Sequence, residues 1–311
     1  MVSVEKLTKP TSIYKISSHT NWVYSLLILQ DGRLASCSKD GSIKIFTLFD
    51  SSFSCDITIP EAHESNVVNY INQLPDGTLV SCGGDKSIKM WNLSKTSVEL
   101  KAVLEGHSDY VYKVIPLSQN RIGSCAADQT IIIWNGSAPY KEIKTLRGHT
   151  NWVNSILQLN NREIIVSGSY YDKSIKFWNI QNYLNIVQKV SDVFCSPSPN
   201  AICQLNDELI AVGNYGLIYF VDAVNHVKVK ELKDDVLNGI YVEALLCVGK
   251  NLCCGCSKGL FWIVSYENGT TVFKEQQGDD NNNNTIRSVV KDNDGYFACY
   301  TLDNHIQVLT Q

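Results

Sequence analysis

The chain has 311 residues, 44% of them hydrophobic, so it can bury a sizeable core and a wholly disordered protein is excluded. Its net charge is -4 and no basic stretch tracks a phosphate backbone, so nucleic acid is not an expected partner. No apolar run is long enough for a secretory signal or a membrane span. We therefore expect a cytoplasmic protein without a membrane partner, with the nucleus or cilium as alternative locations.

A short pattern repeats along the first part of the chain: SCSKDGSIKIF ends at Phe46, SCGGDKSIKMW at Trp91, SCAADQTIIIW at Trp134 and SGSYYDKSIKFW at Trp178. These ends lie 45, 43 and 44 residues apart. The same period continues to GNYGLIYFV at Val221, CSKGLFWIV at Val264 and TLDNHIQVL at Leu309. Each of these is an apolar segment after a tight polar or glycine turn, so the spacing predicts seven units.

Each unit is expected to hold four short strands. In unit three they are Val111 to Leu117, Arg121 to Cys125, Thr130 to Trp134 and Tyr140 to Leu146. A Gly-His pair precedes the first strand of units three and four, and an aromatic residue follows the turn. The pattern resembles the Trp-Asp (WD) repeat family, in particular the G-protein β-subunit propellers, although units five to seven match by length and pattern alone. The resemblance implies an all-β fold, a seven-bladed β-propeller of four-stranded antiparallel blades, as one domain over residues 1–311.

The ends of the chain provide a separate expectation about this ring. The seventh unit reaches Gln311 directly after its third strand, without a fourth strand of its own. An unassigned strand, Thr11 to Ile16, precedes the first unit. We predict that it pairs beside Ile306 to Leu309 and closes the ring, which removes two open sheet edges.

Ser, His and Asp recur at fixed offsets, and any single set resembles a hydrolase triad. A nucleophile needs one activated site with an oxyanion hole, so several copies at one period indicate that the set serves the repeat. The resemblance implies that Asp accepts a bond from His, His bonds Ser, and Ser bonds the Trp indole. We therefore predict a structural network and no catalytic residue or cofactor. Its members are His19, Ser36 and Asp40; His63, Ser81, Asp85 and Trp91; His107, Ser124, Asp128 and Trp134; and His149, Ser167, Asp172 and Trp178.

The network is not expected to be complete in every unit. Phe46 replaces Trp in unit one and cannot donate, so the bonds should end at Ser36. Units five to seven lack the His, Tyr215 and Lys258 stand where Asp belongs, and Asp303 alone is kept. We expect these three units to depend on apolar packing and to be the softer part of the ring.

Cys253, Cys254 and Cys256 raise the alternatives of a metal site or a redox pair. In the same strand of other units, Cys37, Cys82 and Cys125 occupy a repeated position, which favours small buried side chains. No second Cys pair or nearby His completes a zinc set. We expect no metal and no disulfides.

The resemblance also implies a partner-binding top face, formed by the third and fifth residues after His and the residue before the turn Asp. Three units place aromatic or basic side chains there: Trp22, Tyr24 and Lys39; Tyr110 and Tyr112; and Trp152 and Tyr171. Unit two offers Asn66, Val68 and Gly84, so we hypothesise that its neighbours wall a shallow pocket above it. In the alternative interpretation, these rings are common repeat residues packed against neighbouring loops.

The leading functional interpretation is a non-catalytic scaffold or adaptor, monomeric by itself, that binds a protein or peptide partner on this face. One alternative is a structural subunit of a large cytoskeletal or ciliary assembly. Another is a substrate receptor of a ubiquitin ligase, which the lack of an F-box-sized preceding domain and of Trp-Asp-x-Arg after any third strand disfavours. A propeller enzyme or lectin would need an acid, base or metal cluster at the central channel, and the sequence suggests none.

Overall fold

The computed structural model describes residues 12–49, 52–64, 67–160, 162–181, 188–194, 199–276, 284–291, 297–302 and 304–310. Its strands form seven four-stranded antiparallel sheets, numbered here after the seven sequence units. Two short 3-10 helices, Asp235–Leu237 and Ser257–Gly259, are the only helices within the described ranges. The expected all-β propeller with four-stranded antiparallel blades is confirmed.

The first half of the chain contributes one separate strand and three complete sheets. The separate strand is β1 (Ser12–Ile16). Sheet 1 contains β2 (Val23–Ile28), β3 (Leu34–Ser38), β4 (Ile43–Phe49) and β5 (Ser52–Ile59). Sheet 2 contains β6 (Val68–Gln73), β7 (Leu79–Gly83), β8 (Ile88–Leu93) and β9 (Val98–Leu104). Sheet 3 contains β10 (Val111–Leu117), β11 (Arg121–Ala126), β12 (Thr130–Asn135) and β13 (Glu142–Arg147).

The second half contributes the other four sheets. Sheet 4 contains β14 (Val153–Gln158), β15 (Ile164–Ser169), β16 (Ser174–Asn179) and β17 (Gln188–Phe194). Sheet 5 contains β18 (Ala201–Gln204), β19 (Leu209–Gly213), β20 (Ile218–Asp222) and β21 (Lys228–Leu232). Sheet 6 contains β22 (Val242–Val248), β23 (Asn251–Cys256), β24 (Leu260–Ser265) and β25 (Thr271–Gln276). Sheet 7 contains β26 (Val289–Lys291), β27 (Phe297–Leu302) and β28 (His305–Thr310), together with β1.

Burial follows the position of a strand within its sheet. All residues of the second strand β11 are buried, because sheets pack on both of its faces, whereas the outer strand β13 alternates between exposed and covered positions. In sheets 1 to 4 and 6, the register between the first and second strands shifts directly after a buried valine. These inward valines are Val23, Val68, Val111, Val153 and Val242. They mark the top face, the end of each sheet at which the turn between its second and third strands lies.

The N-terminal strand completes sheet 7, as predicted. Strand β1 pairs antiparallel with β28, from Ser12 opposite Thr310 to Ile16 opposite Ile306. Thr11 lies outside the described residues. Because β1 covers one edge of β28 while β27 covers the other, residues far apart in the chain share one sheet.

Deleting residues 1–17 is expected to lower the melting temperature by about 5 °C or more, because it uncovers the edge of β28. Deleting residues 1–11 is the matched control, since it leaves β1 in place. Differential scanning calorimetry compares the two truncations with the full chain. Equal melting temperatures for all three proteins would contradict the role given to β1.

Candidate protein-binding site

The predicted Ser, His, Asp and Trp side chains of sheets 2, 3 and 4 form one continuous chain of hydrogen bonds in each sheet. In sheet 3, His107 Nδ1 lies 2.8 Å from an Asp128 carboxylate oxygen, and His107 Nε2 lies 2.8 Å from Ser124 Oγ. The Trp134 indole N–H donates to the same Ser124 Oγ over 2.8 Å. Because a carboxylate only accepts, Nδ1 carries the proton and Nε2 accepts from the serine hydroxyl. The direction of donation is therefore Trp to Ser to His to Asp.

Sheets 2 and 4 repeat this geometry. The histidine to aspartate distances are 2.7 Å for His63 and 2.6 Å for His149. The histidine to serine distances are 2.8 Å and 2.7 Å, and the indole to serine distances are 2.9 Å for Trp91 and 2.8 Å for Trp178. Ser81 and Ser167 are fully buried, so these bonds satisfy groups that burial would otherwise leave unpaired. We call the Asp, His, Ser and Trp chain of a sheet its polar lock.

The polar lock of sheet 1 is shorter, as predicted. His19 Nδ1 donates to Asp40 over 2.9 Å, and Ser36 Oγ lies 2.7 Å from His19 Nε2. Phe46 occupies the place of the tryptophan and is fully buried, but it offers no donor to Ser36. The bonds therefore end at the serine.

The aspartates accept a second set of hydrogen bonds that the sequence interpretation missed. In each of sheets 1 to 4 the Asp also accepts from the backbone N–H and the hydroxyl of a residue two positions on: Ser42, Ser87, Thr130 and Ser174. The residue between them has a positive φ, at Gly41, Lys86, Gln129 and Lys173. The signal was an Asp-x-Ser/Thr spacing present in all four units. The same carboxylate thus fixes both the histidine and the tight turn.

Sheets 5 and 6 replace the polar lock with other contacts. The strand register places Cys254 where the other sheets have the serine, and Lys258 where they have the aspartate. Val264 occupies the place of the lock tryptophan. Trp262, two positions earlier, is fully buried and donates to Thr271 Oγ1 over 3.0 Å, within sheet 6. A continuous apolar cluster, including Ile218, Phe220 and Leu252, joins the two sheets. Asp303 of unit seven lies outside the described residues.

Six of the described cysteines are buried thiols, and all six lie on the second strand of a sheet. Nine of the eleven are described and carry no disulfide, and Cys37, Cys82 and Cys125 are fully buried opposite isoleucines of the third strand. Burial raises the pKa of the Cys125 and Cys253 thiols to about 12. Cys253, Cys254 and Cys256 do not share the repeated position, since Gly255 occupies it. Within the described ranges, no group of three or more His, Cys, Asp or Glu side chains is placed to hold a metal ion.

Hydrogen bonds set the charge state of the polar lock. Burial acts to raise the pKa of Asp172, but the bond from His149, the charge of that ring and the bonds from Ser174 and Thr150 outweigh it and lower the pKa to about 2. The same kinds of contact lower the pKa of Asp40, Asp85 and Asp128 well below the usual range. Burial lowers the pKa of His63, which favours its neutral form.

Replacing Ser124 by Ala is expected to cost about 1 to 3 kcal/mol, because it leaves both the His107 ring and the Trp134 indole without their buried partner. The matched variant is Ser36→Ala in sheet 1, which disturbs only His19 and should cost less. Urea denaturation measures both free energies of unfolding. A cost for Ser36→Ala equal to or above that for Ser124→Ala would contradict the lock as described.

The pH dependence of stability follows from Asp172. Its folded pKa lies below its ordinary value of 3.8, so the unfolded chain takes up the proton first as pH falls. The contribution of Asp172 to the free energy of unfolding is complete above about pH 4 and is lost as pH falls toward about 2. In Asp172→Asn, the part of the loss of stability at low pH that is due to Asp172 should disappear. Asp207→Asn, which changes an exposed loop, should keep it. Chemical denaturation at a series of pH values measures it, and identical profiles for the wild type and Asp172→Asn would contradict the assignment.

The predicted binding residues lie on the top face and differ in how far neighbouring side chains cover them. Trp22 is partly covered, with the Lys39 ammonium 4.5 Å and the Arg287 guanidinium 5.2 Å from its ring centre. Tyr24 also lies 5.2 Å from Arg287. Tyr110 is 43% exposed. The interpretation that rings pack against neighbouring groups therefore describes Trp22 better than Tyr110.

Trp152 begins a series of ring contacts that the sequence interpretation only partly anticipated. Its ring centre lies 6.1 Å from that of Tyr112 and 5.1 Å from that of Tyr171. The series continues through Tyr170, Tyr241 and Tyr215, at ring-centre distances of 4.8, 6.4 and 4.6 Å. We call these six residues the aromatic arc. Trp152, Tyr171 and Tyr215 are 43%, 54% and 42% exposed.

The arc reaches from sheet 3 to sheet 6. The backbone carbonyl of Tyr110 accepts from the N–H of Ala127, and that of Tyr241 accepts from the N–H of Ser257, which has the same position in its turn. Tyr241 is therefore the sheet 6 equivalent of Tyr110. The length and pattern of unit six place Tyr241 at this position in the sequence, although the unit lacks the histidine from which the position is counted. The register shift after Val242 confirms this alignment.

A cavity of about 180 Å³ lies where the first strands converge. Its lining includes Tyr24, Tyr112, Asn154, Glu243 and Arg287. Tyr24 and Tyr112, two of the aromatic residues hypothesised to wall a shallow pocket above unit two, line this cavity together with residues of sheets 4, 6 and 7.

The register also corrects the positions assigned to unit two. Val68 is itself the inward valine, because this unit has one more residue between His63 and the valine than its neighbours. The equivalents of Tyr110 and Tyr112 are thus Val67 and Asn69. Asn66 lies outside the described residues.

A second set of bonds joins neighbouring sheets at the opposite end of the strands. Arg33 donates to the backbone carbonyls of Ser94 and Lys95, Arg121 to that of Ile180, and Arg162 to those of Ala223 and Asp207. Arg121 also pairs with Glu163. Each arginine thereby links its own sheet to the next one. Neither of the short helices in the described part of the chain is long and apolar enough to cross a membrane.

One family model, described as the WD domain, G-beta repeat, matches the chain four times, over residues 10–47, 54–92, 98–135 and 140–179. Each match starts within two residues of the beginning of the outer strand of one sheet and ends at or near the end of the third strand of the next, as with β5 to β8. No curated protein matches the chain. WD-repeat propellers are typically non-catalytic and generally act as protein-interaction scaffolds. The matched repeats, the four-stranded antiparallel sheets and the polar locks together show that the chain belongs to the WD-repeat β-propeller family.

Proposed function

We propose that the protein is a non-catalytic scaffold or adaptor that binds a protein or peptide partner through its top face. The observation that carries the proposal is the exposure of Trp152 and Tyr171 in an arc of touching rings. Large aromatic side chains dominate the energetics of protein interfaces because they bury much area at a small cost in side-chain entropy. In this chain they stand beside turns that the polar locks hold in place.

Repetition supports the non-catalytic part of the proposal. Each His, Ser and Asp set is engaged in the same buried bonds, and in sheets 2 to 4 the serine hydroxyl is held between a histidine and an indole. A catalytic serine needs an accessible hydroxyl beside oxyanion donors. Fully buried Ser81, Ser124 and Ser167 serve the fold instead.

We further infer that the seven sheets form one closed seven-bladed ring and a single domain. The support is a cycle of contacts between first strands: β2 with β6, β6 with β10, β10 with β14, β14 with β18, β18 with β22, and β22 with β26. Contact of β26 and β27 with β2 completes the cycle. Such a ring presents the turns of every sheet on one broad surface.

Replacing Trp152 by Ala is expected to reduce partner capture strongly, since removing a central aromatic anchor typically costs about 2 kcal/mol or more of binding. The test is affinity purification of the tagged full chain from its native cells, followed by quantitative mass spectrometry. Leu100→Ala is the matched control, because this residue is 53% exposed on the outer strand β9, away from the top face.

The wild type and Leu100→Ala should recover the same proteins, and Trp152→Ala and Tyr110→Ala should lose them while melting at nearly the same temperature. Equal recovery by all four proteins would refute binding through this face. A large loss of stability in Trp152→Ala would instead assign the ring a structural role.

A further inference from the structure

The top face has two parts, which differ in whether a lysine or arginine side chain lies over their aromatic rings. Cations already lie over the rings of one part: Lys39 and Arg287 over Trp22, Arg287 over Tyr24, and Lys113 over Tyr70. Within the described ranges, no lysine or arginine lies over a ring of the aromatic arc. Trp152, Tyr171 and Tyr215 are instead partly exposed and have only other rings of the arc as described ring partners.

Glu243 lies at the inner end of this arc. It is two residues from Tyr241, on the first strand of sheet 6, and it lines the central cavity together with Tyr112. No hydrogen-bond donor or ion-pair partner of its carboxylate is found among the described residues. Burial raises the pKa of Glu243, and the positive charge of Arg287, which lines the same cavity, only partly opposes that effect.

An acidic side chain in this setting is costly unless a positive group joins it. Three other carboxylates of the top face are engaged: Asp128 and Asp172 in polar locks, and Asp109 with the backbone N–H of Tyr110. Glu243 also acts electrostatically on Tyr170, so it belongs to the same region as the arc. A carboxylate without a donor and rings without a cation thus lie side by side.

Resting on the function proposed above, we propose that the aromatic arc and Glu243 together bind a lysine or arginine side chain of the protein partner. The methylenes of such a side chain pack on Trp152 and Tyr171, and its charged end reaches toward the mouth of the cavity and Glu243. Arg287 and Lys113, held over rings of the other part, restrict the cation to the arc side. A carboxylate of a partner would be repelled by Glu243, and no lysine or arginine of the described residues lies over a ring of the arc to attract it.

The experiment uses the full chain and fluorescently labelled pools of short random peptides that share one fixed central residue, which is Lys, Arg, Glu or Leu. Fluorescence polarisation measures the affinity of each pool. The Lys and Arg pools should bind most tightly and weaken as salt concentration rises. Glu243→Gln, which keeps the shape of the side chain, should weaken the Lys pool about tenfold or more. Glu208→Gln, an exposed carboxylate of sheet 5, is the matched control and should change nothing.

Any of three results would overturn the inference. The affinities could be independent of the fixed residue, Glu243→Gln could leave the affinity for the Lys pool unchanged, or no pool could bind. If the Leu pool bound most tightly and Trp152→Ala abolished that binding, the top face would remain a protein-binding surface and only its preference for a cation would be wrong. If Trp152→Ala changed neither peptide binding nor partner capture, the proposed function would itself fail.

Discussion

One aspartate in each of the first four sheets holds the top of its sheet together. Its carboxylate fixes the histidine on the segment before the first strand and, through Ser42, Ser87, Thr130 or Ser174, the turn between the second and third strands. These two segments form the top face, to which we assign the proposed interaction, because the strands below them are packed on both faces. Without the carboxylate, the buried imidazole would lose its acceptor, and the turn residue two positions on would lose the acceptor of its N–H and hydroxyl.

The polar locks explain how short, otherwise mobile turns can present large rings at defined positions. Trp152 follows His149 by three residues, and Tyr171 directly precedes Asp172, so both ends of their contact are tied to one polar lock. Preorganisation of this kind reduces the entropy that a partner must overcome on binding. The arc then continues to Tyr215 and Tyr241, in sheets that lack the lock and are held by apolar packing.

Much of the fold could be predicted from the sequence, because the repeat places a strand, a turn residue and an apolar position at a constant period. The third strands that end near Trp134 and Val264, the closing pair of β1 with β28, and the shortened network at Phe46 were all predicted correctly. Positions counted from the histidine failed in unit two, where one extra residue precedes Val68. Tyr215 and Tyr241 were not grouped with Trp152, since contacts between different sheets depend on how those sheets pack against one another and have no period in the sequence.

Rigidity of the top face in sheets 2 to 4 is the central claim, and hydrogen–deuterium exchange of the turns tests it most directly. Peptides covering residues 85–87, 128–130 and 172–174 contain amides that donate to the lock aspartates, whereas residues 215–217 and 258–260 occupy the same turns without one. We expect amide protons to exchange markedly more slowly in the peptides with a lock aspartate than in those without one. Equal exchange in both groups would show that the polar locks do not determine how firmly this surface is held.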